Sequence, residues 1–272
     1  MKQTFSHVLC VVALVLLFSG CAGVNSLLKS GQPDQIYAKA MELYERGKWS
    51  RASNLYEAVQ HFYAGSTRED SVSFYNAHCK YKNRDYHTAS SLLDEFRRKF
   101  GRSAFIEDAE GMYALCFYFL SPAPSRDQTM THQAIIAIDE FLARYPKSDK
   151  CENFRKINEE LTQRLHDKAY LNAYTYYKIG RYNSAITSLK NALKQYPDSK
   201  HREEIMFLIV DAGYSYASNS VEEKQTDRYL SMLDSYLSFK EEFPESKHIK
   251  EVERMATHAR DFLDKNKSGN NI

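Results

Sequence analysis

Five times along this chain an aromatic residue closes a helical run and a serine follows three positions later: Tyr63-Ala-Gly-Ser66, Phe100-Gly-Arg-Ser103, Tyr145-Pro-Lys-Ser148, Tyr196-Pro-Asp-Ser199 and Phe243-Pro-Glu-Ser246. Proline and glycine do not continue a helix readily, and a serine oxygen can accept from the unpaired N–H groups that open the next one. Each copy therefore reads as stop, turn, restart, which confines the chain to a stack of helical units.

A second register runs inside the units. Ala-x-x-x-Tyr recurs as Ala40/Tyr44, Ala77/Tyr81, Ala114/Tyr118, Ala173/Tyr177 and Ala212/Tyr216, at intervals of 37, 37, 59 and 39 residues. All but the third interval approximate one helix-turn-helix unit. Within units, a short turn leads to an aromatic and then an alanine, as in Gly47-Lys-Trp49-Ser-Arg-Ala52, Arg84-Asp-Tyr86-His-Thr-Ala89 and Gly180-Arg-Tyr182-Asn-Ser-Ala185. The fourth unit, with Ala173, Gly180, Ala185, Leu189, Ala192 and Pro197, follows tetratricopeptide spacing. The expected fold is all-α, an α-solenoid of about five tetratricopeptide-like helix pairs with a C-terminal capping helix.

The amino-terminal segment stands apart. Lys2 precedes an apolar run from Val8 to Phe18 that is too short to span a bilayer but suits a secretory signal. Leu17-Phe18-Ser19-Gly20-Cys21 resembles a bacterial lipobox, so residues 1–20 are expected to be a signal peptide and Cys21 the lipidated residue, followed by a flexible linker over 21–32. Ala22 and Gly23 after the cysteine, with no acidic cluster nearby, imply by resemblance to sorted lipoproteins an outer-membrane location facing the periplasm.

Charge excludes one class of partner. The chain carries 37 basic and 35 acidic side chains, too even a balance to recruit nucleic acid. Arg97-Arg98-Lys99, Lys190 and Lys194 fall at helix C-terminal ends, where cations complement the helix dipole. Apart from Cys10 and Cys21, three cysteines remain, Cys79, Cys116 and Cys151. Small buried thiols are the expectation, with a Cys79–Cys116 disulfide the alternative, since the two lie one repeat apart.

Repeats of an amino-terminal region are expected over 33–147, and Ser66-x-x-Glu69 there has the pattern of a capping box. The third unit is interrupted by a two-proline loop from Ser121 to His132. No helix breaker follows Pro146 until Gly180, so a long central helix is predicted at about 149–179, opening a second region over 148–266. Its capping helix is expected from about His248 to Lys265, and a disordered tail over 267–272.

No catalytic pattern is present. The nine histidines show no HExxH or paired metal-ligand spacing, and GxSxG, P-loop and GxGxxG are all missing, so no enzyme, metal or cofactor is expected. Binding surface is what remains. At tetratricopeptide spacing the first-helix positions predicted to face a peptide are Tyr37, Met41 and Tyr44, then Phe74, His78 and Tyr81; the fourth unit repeats the row as Tyr170, Tyr174 and Tyr177. Aromatic rows with hydroxyls offer apolar area and hydrogen bonds at low entropy cost.

The lipobox, the five helix pairs, Arg126-Asp127-Gln128-Thr129, Tyr145-Pro-Lys-Ser148, the long helix with Leu161 and Leu165, and Tyr176-Tyr177-x-x-Gly180 together resemble the BamD/ComL family over nearly the whole chain. The resemblance implies a lipoprotein of the β-barrel assembly machinery. Its amino-terminal repeats would bind unfolded outer-membrane proteins. Its carboxy-terminal repeats, with Arg126, Asp127, Tyr170, Tyr174 and Tyr177 as partner-facing residues, would dock a BamA-like subunit among other assembly lipoproteins. The rival expectation is a periplasmic repeat scaffold linking envelope or cell-wall complexes.

Overall fold

The computed structural model describes residues 31–269, and among these every regular element is helical. In chain order they are α1 (Pro33–Glu45), α2 (Trp49–Val59), a 3-10 turn (Gln60–Tyr63), α3 (Glu69–Lys82), α4 (Tyr86–Lys99), α5 (Ile106–Leu120) and α6 (Thr129–Arg144). These are followed by α7 (Cys151–Lys178), α8 (Tyr182–Gln195), α9 (Arg202–Ser218), α10 (Glu222–Glu242) and α11 (Ile249–Gly269). The all-α class and the helix pairs agree with the sequence reading. α11 runs to Gly269, into the segment expected to be a disordered tail. Cys21, the segment expected to be a signal peptide and residues 270–272 lie outside the described residues.

Three of the turns within pairs, α1–α2, α3–α4 and α7–α8, are closed by one residue in the left-handed region: Gly47 (φ 68°), Arg84 (φ 61°) and Gly180 (φ 71°). The following N–H reaches back five residues, Lys48 to Leu43 O (2.8 Å), Asp85 to Lys80 O (3.0 Å) and Arg181 to Tyr176 O (2.9 Å), satisfying carbonyls that end the first helix. Arg84 holds this conformation against the Cβ clash that glycine escapes.

The turns between pairs use the five serines alike. Each Oγ accepts from the N–H two residues on: Arg68, Phe105, Lys150 and His201 at 3.2 Å, and His248 at 3.1 Å. Three of them also donate to a carboxylate in the first turn of the preceding first helix: Ser103 to Asp70 (2.7 Å), Ser148 to Glu107 (2.7 Å) and Ser246 to Glu203 (2.6 Å). The Ser66/Glu69 capping box takes a different form, because Glu69 accepts from the Gly65 N–H at 2.9 Å rather than from Ser66. Ser66 instead donates to Tyr63 O at 2.7 Å.

Two compact units emerge. One comprises the described residues up to Ser121 together with Met130–Arg155, and the other comprises Pro122–Thr129 and the chain from Lys156 onward. The division falls inside α7 rather than near residue 148, because the start of α7 is tied to α5 and α6. The Phe154 ring lies 4.7 Å from that of Phe141, and both crowd Gly111.

In the first unit Leu55, Tyr56, Val59 and Val72 are fully buried between α1, α2 and α3, and Leu93 and Phe96 anchor the next layer. Burial of each such side chain contributes about 1.5–3 kcal/mol. Ala40, Ala52, Ala77 and Ala89 are fully buried at the repeat positions, small enough for helices to approach closely. Cys79, Cys116 and Cys151 are free and buried. Cys79 and Cys116 belong to different core clusters, so the disulfide alternative is not realised. Burial pushes both thiols up to about 12, which keeps them protonated and inert. In the second unit Leu189, Ile205, Val210, Phe239 and Val252 form one core that α11 caps.

Candidate peptide-binding and partner-binding faces

The amino-terminal row begins on α1. Tyr37 is half-buried, its ring 6.0 Å from Tyr56 and 5.7 Å from Tyr63, with the Arg68 guanidinium over it. Met41 is half-buried beneath the Tyr56 hydroxyl (3.7 Å to Sδ). Tyr44 packs edge-on against Trp49 (5.1 Å) and Tyr75 (4.9 Å), and its hydroxyl is bonded to His78 Nδ1 on α3. Burial holds His78 down to about 4 and pushes the Tyr44 phenol up to about 12, so at neutral pH a neutral imidazole accepts from a phenol.

Phe74 departs from the prediction. It is 6% exposed, stacked on Phe105 at 4.5 Å and packed on Phe96 at 5.8 Å, so it belongs to the core of the second layer and offers nothing to a ligand. The period that selects first-helix positions cannot tell the open face from the side that packs on the next unit. Tyr81 does lie in an aromatic cluster, 5.7 Å from Tyr86 and 6.2 Å from Phe119; burial pushes its phenol up to about 12. Phe119, 48% exposed and stacked on Tyr86 at 4.7 Å, extends that cluster. Sequence reading passed over it because it falls one residue beyond the Ala-x-x-x-Tyr register.

In the second unit Tyr170, Tyr174 and Tyr177 form a near-parallel ladder along α7, with ring centroids 5.6 and 5.9 Å apart. His201 stacks on Tyr170 at 4.3 Å and bonds Asp167 at 2.8 Å. Burial pushes the Asp167 carboxyl up, but hydrogen bonds from His201, Gln163 and Lys200 outweigh it and leave the group below its usual range. Tyr177 donates to Asp211 of α9; burial raises both groups. The ladder is half-buried against the α9 side of the core.

The loop before α6 is built rather than loose. Gln128, 6% exposed, donates to Ala123 O (2.9 Å) and Arg126 O (3.0 Å), while Lys168 of α7 reaches Ser125 O at 3.1 Å. Asp127 accepts from the Thr129 N–H at 2.9 Å and so caps α6. Arg126 is exposed at the tip. Gln128 is the residue that sequence reasoning missed as the organiser of this loop.

The outer membrane lipoprotein family YfiO matches residues 29–170 and again 161–267. The chain belongs to this family. Among relatives of the YfiO-family chain is the outer membrane protein assembly factor BamD of Caulobacter vibrioides, 25% identical over 74% of this chain and 67% of that protein. The BamD of Vibrio cholerae is 24% identical over 77% of this chain and 90% of its own length. Among solved structures, the P58(IPK) TPR domain aligns over 89% of this chain and 68% of that one, with TM-score 0.41 and 12% identity. In the YfiO-family chain none of the described residues forms a group of three or more metal-ligating side chains, and no described helix is long and apolar enough to cross a membrane.

Proposed function

We propose that this protein is a lipid-anchored periplasmic adaptor of the outer-membrane β-barrel assembly machinery, non-catalytic, holding nascent outer-membrane proteins and a BamA-type subunit. The observation that carries the reading is the aromatic surface of the first unit, where Tyr37, Tyr81, Tyr86 and the exposed Phe119 lie on family-matched repeats. Such rings give an extended, aromatic-bearing segment a rigid apolar platform. Of the predicted peptide-facing residues, Tyr37, Met41, His78 and Tyr81 remain in the proposal, Tyr44 acts through His78, and Phe74 is withdrawn to the core. Arg126 and the α7 tyrosine ladder are assigned to the BamA-type partner, with Asp127 and Gln128 positioning the loop. An anchor at Cys21 raises the effective concentration of the adaptor where insertion occurs.

A photo-crosslinker at position 119 or 81 in cells tests the first surface: adducts with outer-membrane proteins are expected, and none at either position overturns the peptide assignment. Co-purification of a BamA-type barrel, reduced by Arg126→Glu, tests the second. A Cys21→Ala chain is expected to leave the outer-membrane fraction, and one that stays there entirely refutes the lipid as sole anchor.

A further inference from the structure

Along α10, residues Glu223, Asp227, Leu230, Asp234, Leu237 and Glu241 follow one another at steps of four and three, the spacing that places side chains on a single stripe of a helix. All six are exposed, and the two leucines are large apolar groups left 49% and 54% accessible. The opposite face of the same helix, through Tyr229, Met232, Tyr236 and Phe239, is in the core, so the stripe is not the side that holds α10 in place. None of its four carboxylates makes an ion pair among the described residues, whereas the nearby Lys240 is engaged by Glu253 at 2.7 Å. The stripe shares no residue with the aromatic faces described above. Beside it, Asp234 also lines a cavity of about 290 Å³ together with Met206 and Ile209 of α9 and Lys190 of α8.

We infer that this stripe of α10 docks a basic amphipathic helix of a protein partner, whose apolar residues seat on Leu230 and Leu237 while its lysines or arginines meet the flanking carboxylates. The alternating four-three spacing sustained over about 27 Å suits a helix lying alongside, because only a helix repeats its contacts at the same interval. The charge pattern chooses the occupant. Anionic lipid headgroups would meet four like charges, and a second copy presenting the same stripe would set carboxylate against carboxylate. A cationic partner alone gains from both the apolar and the charged positions.

The test uses the full chain in zwitterionic nanodiscs, with empty nanodiscs subtracted, and a labelled helical peptide of about 18 residues carrying leucine and lysine at the complementary heptad positions. Anisotropy is expected to show saturable binding, weakened at least about tenfold by Leu230→Ser/Leu237→Ser or by Asp227→Lys/Asp234→Lys. A peptide of equal composition whose leucines are scattered around the helix is expected to bind at least about tenfold more weakly. Equal binding of the scattered peptide, or of the double-serine chain, reduces the interaction to bulk charge and overturns the proposal, as does no binding of the matched peptide. All four substituted positions are exposed, and unchanged thermal melting confirms that the fold survives. Quenching of Leu237→Trp by brominated lipid, or a dimer abolished by the double-serine change, would give the stripe to the bilayer or to a second copy instead, and either overturns it.

Discussion

The Tyr44 hydroxyl is bonded to Nδ1 of His78, thirty-four residues on in the next first helix, and Tyr177 meets Asp211 at the same separation in the other unit. One repeat position thus sends a phenol to the following repeat in both units, to a neutral imidazole in one and to a carboxylate in the other. Both hydroxyls are consumed inside the molecule, so at these positions a ligand finds ring surface rather than a free donor.

Because burial depresses His78 below the ordinary histidine value of 6.5, the unfolded chain takes up a proton that the folded chain refuses as pH falls. The stabilising contribution of the neutral ring is complete above pH 6.5, declines towards about pH 4 and is exhausted below it. Urea midpoints of the native chain are expected to fall across that window, and those of His78→Gln to fall less. Parallel curves for the two proteins would remove His78 as the group responsible.

Tyr177→Phe leaves the half-buried Asp211 carboxylate without this donor and is expected to cost about 1 kcal/mol. Asp211→Asn keeps an acceptor for the phenol, removes a charge that burial disfavours, and is expected to cost less. Denaturation of both single changes and the double completes a cycle, and a coupling near zero would mean that the bond contributes nothing.

Ser103, Ser148 and Ser246 each join two helices through one oxygen. Replacing any of them with alanine removes the oxygen that accepts the N–H two residues on and is expected to destabilise the chain by about 0.5–1.5 kcal/mol. Removing Asp70, Glu107 or Glu203 as well should add little at the matching serine, which denaturant midpoints of the paired variants would show.

Glu110 is 3% exposed, bonded to Arg144 and 3.8 Å from Arg97, whose Nε has no hydrogen-bond partner among the described residues. Glu110→Gln removes the buried carboxylate that Arg144 and Arg97 share, while Arg97 keeps Glu140 and Arg144 stays in contact with solvent, so the expected loss is that of a charged hydrogen bond, about 1.5–3 kcal/mol. Exposed Glu140, which also reaches Arg97 at 3.0 Å, serves as the comparison: Glu140→Gln should lose about 1 kcal/mol or less, and equal losses would contradict the burial argument.

Helix pairs, their turns and the long α7 were legible in the sequence because they rest on local chemistry. Glycine or proline stops a helix, serine opens the next, and the apolar period marks the buried stripe. The predicted rows were legible only as positions. Phe74 and His78 lie one turn apart on α3, yet one is core and the other half-buried beside Tyr44. Periodicity names the helix side but not the neighbour that covers it. Phe119, Gln128 and the α10 stripe carried no repeat signature, and their standing depends on what did or did not pack over them.

By itself the sequence determined that this chain forms stacked helical pairs of the outer membrane lipoprotein type, since those properties follow from residues near one another along the backbone. Only the tertiary structure decided which aromatics are surface, that Cys79 and Cys116 stay apart, and that Tyr44 and Tyr177 spend their hydroxyls inside. Those outcomes depend on which distant side chain arrives at each position, and exposure is a property of the packed chain rather than of any residue in it.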